Sequence, residues 1–177
     1  MSYLKINVFL LLVVCTFIAC GGNTGQKQQG NSTSNLYNDK TRLENINRYL
    51  TEKDKDIIES YIRRQGWKMQ FSPDGYFYEI YNTGNNPKAS EGNEVECEIT
   101  ISLLNGTVCH KSTEPKNFLV GRSEEISGMH LAITHLGKGG KAKFIFPPQL
   151  AHGLQGDMNK IPPRSVVVYD VEVTDIK

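Results

Sequence analysis

The chain has 177 residues, 38% of them apolar, with 20 basic against 19 acidic side chains. That length and apolar content suit one compact domain carrying an appendage. Lys5 is the one charged residue before Cys20, so charge balances over the rest, which excludes the basic footprint of a nucleic-acid binder and any strong pull on an acidic partner.

The N-terminus reads as a targeting segment over residues 1–19. Lys5 supplies a short positive region, and the apolar run Ile6–Ala19 is shorter than a membrane span needs. It ends in "TFIACGG", which resembles a bacterial lipobox, where the chain is cleaved before an acylated cysteine. Cys20 is then the lipidation site. Phe17 stands where that pattern usually has leucine, and an ordinary signal peptide with an incidental cysteine is the alternative. Gly21 supplies no aspartate-type retention signal, which points an anchored chain to the outer membrane. Residues 20–36 are rich in Gly, Ser, Thr, Asn and Gln and are expected to be a flexible tether.

Residues 37–67 have helical periodicity. Leu43, Ile46 and Leu50 share one face, as do Ile57, Ile58, Tyr61 and Ile62. Thr51 followed by Asp54 is a weak capping signal, so two helices are expected rather than one, with Gly66 ending the second. This arm is read as a packing appendage, dispensable for the core of a domain at 68–177. A partner-binding or dimerising arm is the other reading.

From residue 76 the period changes to two. Tyr76–Asn82 is a strand, and Val95–Leu103 places Val95, Cys97, Ile99, Ile101 and Leu103 on one face. Asn105–Gly106 offers the positive-φ residues of a tight hairpin, and Thr107–His110 starts the return. Cys97 and Cys109 are expected on opposite faces of that hairpin and therefore unbridged. Asn117–Gly121 is a short strand. Ser123 is placed to cap a helix on which Ile126, Met129, Ile133 and Leu136 share a face, with Gly137 ending it. His130 and His135 are five residues apart and read as surface side chains. Lys141–Phe146 and Ser165–Ile176 complete an α+β layout, a curved antiparallel sheet packed on one helix. Between them, two proline pairs stiffen both bases of a loop raised over one end of the sheet. The "GKGGK" stretch at Gly137–Lys141 has no Ser/Thr after its lysine and is a turn, not a phosphate loop.

Read together, "FLVGRSEEISGMHLAITHLGKGGKAKFIFPPQLAHGLQGDMNKIPPRSVVVYDVEVTDI" (Phe118–Ile176) resembles the FKBP family of peptidyl-prolyl cis-trans isomerases. The specific parts are "FLVG" before the helix, the basic-small-basic strand after Gly140, "PPQLAHG", and "IPP" followed by "DVEV". The resemblance runs more loosely back to Tyr76. With the lipobox-like start and helical arm, the whole is similar to lipid-anchored FKBP-type envelope proteins, including gliding-motility-associated ones.

The resemblance implies a five-stranded antiparallel half-barrel wrapped on one helix. It also implies a shallow apolar pocket covered by the Gln149–Ile161 loop. Its implied clients are proline-containing polypeptides, and no cofactor or metal is implied. Carried over residue by residue, Ile126 matches and its backbone N–H is the implied donor to a ligand carbonyl. Ile161 matches, Tyr169 replaces a phenylalanine, and Glu124 near the pocket mouth matches. Ile99 stands in place of a tyrosine, and Cys109 and His110 in place of Phe-Asp. Glu125 replaces an aliphatic residue, Met129 the tryptophan floor, and His152 a ligand-donating tyrosine. These losses of aromatic area lead to an expectation of reduced activity. Cys109, His110 and His152 could suit a soft metal as a trio, but are read as pocket-rim residues.

Overall fold

A computed structural model describes residues 31–177, with side-chain surroundings from Asp39 onward. The expected targeting segment, Cys20 and most of the expected tether lie outside the described residues. Among the described residues no helix is long and apolar enough to cross a membrane.

The first element is a single helix, α1 (Asn31–Gln65), not two. It begins inside the stretch expected to be tether and runs through the expected break. Nothing between Thr51 and Asp54 interrupts it, because neither side chain caps a new helix. The Thr51 hydroxyl donates back to the Asn47 carbonyl at 2.9 Å, and Asp54 is engaged by a distant arginine described below. Gly66 ends the helix in the left-handed region (φ 70°), as its position suggested.

The chain divides between Leu43 and Glu44, and the second unit, Glu44–Lys177, holds most of α1 together with the whole sheet. The arm therefore belongs to the packed unit from Glu44 onward, whereas the sequence placed the boundary at residue 68. The reason is a second apolar cluster. Ile58, Tyr61 and Ile62 of α1 pack on Phe77, Ile145 and Val168, with Trp67 and Met69 at its edge. Ile57, Ile46 and Leu43 stay exposed.

The strands are β1 (Gln70–Phe71), β2 (Phe77–Asn82), β3 (Glu94–Leu103), β4 (Val108–Lys111), β5 (Lys116–Leu119), β6 (Lys141–Phe146) and β7 (Val167–Ile176). They form one antiparallel sheet in the order β1-β2-β6-β7-β3-β4, with β5 also on β3. β4 and β5 are two halves of one interrupted strand, since both pair with β3. Setting aside the two-residue β1 leaves the five-stranded arrangement. Strict alternation sends Val167, Tyr169, Val171 and Val173 to the inner face, where the main core lies, and Val168 outward to α1. The Asn105–Gly106 turn forms as expected. Gly106 sits at φ 86°, and its N–H donates to the Leu103 carbonyl at 2.9 Å.

The inner helix, α2 (Ser127–Ala132), continues as a 3-10 turn, Ile133–His135. Ile126, Met129, Ile133 and Leu136 are all buried, as their spacing required. Ser123 is not the cap. The residue preceding the helix is Ile126, with no side-chain cap, and the Ser123 hydroxyl is buried without a partner. Gly128 fits α2 tightly to the sheet, since a Cβ there would meet Phe146 Cδ1 at 2.5 Å and the Leu150 carbonyl oxygen at 2.8 Å.

Candidate active site

The inner face of β7, the start of α2 and the Pro147–Pro163 loop converge over one end of the sheet. The floor is built from Tyr169 and Phe146, whose rings meet edge to face at 5.3 Å, and from Met129, which is fully buried. Ile126, Ile161 and Ile99 enclose it and are buried too. Burial here is close to complete, so the floor is filled by the protein's own side chains. Two of the concavities among the described residues lie elsewhere. One of about 250 Å3 runs along the outer sheet face beside Tyr81, Lys141 and Glu172. The other, of about 340 Å3, lies between Leu50, Asp54, Pro148, Leu154 and Arg164.

The loop is held at both ends. Asp157 anchors the tip, where its Oδ1 accepts the backbone N–H groups of Asn159 at 2.9 Å and Ile161 at 2.7 Å. Burial pushes the Asp157 carboxyl up, but those N–H groups and the neighbouring His152 outweigh it and hold the group below the usual carboxylate range. This closure presents Ile161 to the floor. Gly156 makes it possible, because a Cβ there would meet the Ile161 carbonyl oxygen at 2.2 Å. At the C-terminal base, Arg164 sits at φ 56° and its N–H donates to the Gly153 carbonyl at 3.0 Å. Its guanidinium donates to both carboxylate oxygens of Asp54 on α1, each at 2.9 Å. The N-terminal helix is thereby fastened to the base of the site loop.

The polar groups of the site are few. The Ile126 N–H is 3.1 Å from Oε1 of Glu125, which accepts it. The other Glu125 oxygen pairs with Lys116 Nζ at 2.5 Å. The Tyr169 hydroxyl and His152 Nε2 are buried without partners. Burial pushes the Tyr169 phenol far up, with smaller contributions from the charges of Glu125 and Asp157.

Glu124 and His110 are exposed. Cys109 is buried, unlike its neighbour His110, and its thiol lies 3.4 Å from the Lys160 carbonyl oxygen. Cys97 is buried in the same core, which corrects the expectation of opposite faces. A register shift between Ile101 and Ser102 rotates Cys109 inward, as one extra residue in a strand must. Both cysteines are free thiols. Burial pushes the Cys97 thiol up to about 12, and raises that of Cys109, so neither is an activated nucleophile. Among the described residues no three His, Cys, Asp or Glu side chains gather to hold a metal, so Cys109, His110 and His152 do not form a ligand trio. His130 and His135 are half-buried and structural, not surface side chains. His130 Nδ1 accepts the Gly121 N–H at 3.0 Å. His135 Nε2 lies 2.9 Å from the Tyr76 hydroxyl, and its ring stacks on Tyr78 at 5.0 Å.

Sequence reasoning missed Asp157, Lys116 and the Asp54–Arg164 pair. Only the first had a local signal, the Asp-x-Asn spacing of an Asx turn in "GDMNKI". Together, a dry apolar floor, one backbone donor and thiols kept protonated suit conformational chemistry on an amide rather than covalent attack.

The model of FKBP-type peptidyl-prolyl cis-trans isomerases matches residues 85–174, just over half of the chain. The chain is 31% identical over 115 residues to a probable FKBP-type peptidyl-prolyl cis-trans isomerase of Haemophilus influenzae, covering 63% of this chain and 47% of that protein. It is 30% identical over 128 residues to the FKBP-type peptidyl-prolyl cis-trans isomerase FkpA of Escherichia coli (strain K12), covering 71% of this chain and 46% of that one. The chain spans less than half the length of these curated relatives. The crystal structure of FkpA from Escherichia coli superposes with a TM-score of 0.62 at 24% identity, covering 97% of this chain and 82% of that one, a likeness of fold. The matched segment contains the helix approach, the floor and the loop just described, and the chain belongs to the FKBP-type peptidyl-prolyl cis-trans isomerase family.

Proposed function

We propose that the chain is a peptidyl-prolyl cis-trans isomerase that helps proline-containing segments of cell-envelope proteins to fold, held at the outer membrane by lipid on Cys20. The observation that carries this reading is the floor of Ile126, Met129, Ile161 and Tyr169 beside a backbone N–H. The X–Pro amide resists rotation by roughly 18–20 kcal/mol because of its partial double bond. Water stabilises the planar, polar amide. A dry apolar surface withdraws that stabilisation, and a fixed N–H holds the peptide while the bond twists. Ile99 and Met129 offer less aromatic surface than a tyrosine and a tryptophan would, so the rate enhancement is modest. Each tenfold of rate is about 1.4 kcal/mol of barrier, and the loss of a few contacts removes much of a small effect.

A second reading is a non-catalytic interaction module of an envelope assembly. It is favoured by the Ile126 N–H being already engaged. The two are separated by proline-limited refolding of a model protein in the presence of the full chain. Catalysis shortens the slow phase at substoichiometric chain. An interaction module leaves its rate unchanged. Lipidation is read separately by mass spectrometry of the N-terminus. The reading predicts a chain starting at an acylated Cys20, and an intact Met1 would sink it.

A further inference from the structure

The Glu125 carboxylate sits inside the site just described, with its side chain only 6% exposed. One oxygen accepts the Ile126 N–H at 3.1 Å, and the other is held by Lys116 at 2.5 Å. Both contacts hold the carboxylate at the start of α2 against β5 rather than out in solvent. The Tyr169 hydroxyl, on a side chain 1% exposed, is left without a partner. A buried hydroxyl is rarely orphaned, because it forfeits its bonds to water. Its capacity for a hydrogen bond is unmet within the floor.

We propose that Glu125 is a specificity-determining residue that occupies the client's carbonyl position and selects prolyl segments carrying Lys or Arg next to the proline. This rests on the isomerase reading of the site. A client carbonyl must displace Glu125 Oε1 to reach the Ile126 N–H. The displaced carboxylate oxygen then lacks one donor in a nearly buried place. A neighbouring ammonium or guanidinium on the client supplies that donor. An acidic neighbour instead brings a second carboxylate beside Glu125, with Glu124 adjacent in sequence. Lys116 is half exposed and remains as a tether in every case.

The test uses the full chain, Glu125→Val and Lys116→Met, with three peptides that differ only in Lys, Ala or Glu before the proline. NMR follows the Ile126 amide shift and exchange protection, and titration gives the affinities. In the native chain the Lys peptide binds best and the Glu peptide worst, spread by about tenfold, the scale of one charged hydrogen bond. Glu125→Val shifts and deprotects the Ile126 amide, binds the Ala peptide about tenfold more tightly and loses the ranking. Lys116→Met keeps the ranking and tightens all three. An Ile126 amide unchanged in Glu125→Val overturns the proposal, whatever the peptides do. So does a ranking that survives the substitution. If Ile126 responds but no peptide binds any of the proteins, the isomerase reading itself falls and takes the selection of basic clients with it.

Discussion

Arg164 joins two parts of the chain that the sequence kept apart, and its contribution can be worked out. Its guanidinium meets both oxygens of Asp54 at 2.9 Å, with side-chain exposures of 30% for Arg164 and 10% for Asp54. Breaking a fully buried pair costs about 3–5 kcal/mol, and an exposed pair is worth about 0.2–1 kcal/mol. The intermediate exposure places the coupling at about 2 kcal/mol. A double-mutant cycle of Asp54→Ala and Arg164→Ala, read by urea unfolding, should return that value as its interaction energy. Arg164 carries a second, opposite effect, because its φ of 56° is unfavourable for a residue with a Cβ. Arg164→Gly should therefore be about 1 kcal/mol more stable than Arg164→Ala, though both lose the pair. A coupling below about 0.5 kcal/mol would show the pair to be screened by water, and would refute the claim that it fastens α1 to the loop.

Other outcomes follow from the same packing. Truncation to start at Lys68 strips Ile58, Tyr61 and Ile62 from Phe77, Ile145 and Val168, so the shortened chain should unfold with reduced cooperativity. A sharp unfolding transition like that of the full chain would restore the sequence-based boundary. Tyr169→Phe removes an unpartnered buried hydroxyl and should stabilise the chain by about 1 kcal/mol; destabilisation in thermal unfolding would mean that the hydroxyl has a partner. His135 is held below its ordinary value by burial and then by the charge of Lys88. Its neutral form is the folded one, so the unfolded chain binds more protons below about pH 6.5, the free value. Stability contributed above that pH is lost as pH falls through the lowered value. Between pH 7 and pH 5 the native chain should lose more stability than His135→Phe, and equal losses would contradict this.

Much of the sheet was legible because its signals are local. The alternation of Val95 to Leu103, the Asn105–Gly106 turn and the boundaries of Lys141–Phe146 need only period two and turn chemistry. Ile126, Met129, Ile133 and Leu136 were placed on the core by spacing alone. The errors lie where a distant partner decides. Thr51 and Asp54 look like a cap in sequence, but Asp54 answers to an arginine 110 positions away. Ile58, Tyr61 and Ile62 formed a visible apolar face, yet nothing in the sequence showed that the outer sheet face would receive it. The side of the strand on which Cys109 lies turned on one register shift, which reverses every side chain beyond it. In the site, Ile126, Ile161, Tyr169, Ile99, Met129 and Cys109 come together in the main core, while His110 remains exposed. The engagement of Ile126 by Glu125 was invisible, because it depends on how Lys116 on β5 and the start of α2 face each other.

The activity proposed for this site is the rotation of X–Pro bonds. The direct measurement is NMR exchange spectroscopy on a short Lys-Pro peptide with a few per cent of the full chain, following the cis and trans resonances. Exchange cross-peaks are expected to grow with chain concentration and to weaken when Ile161, which encloses the floor, is replaced in a chain that stays folded. A folded native chain that leaves the exchange rate at its uncatalysed value would contradict it.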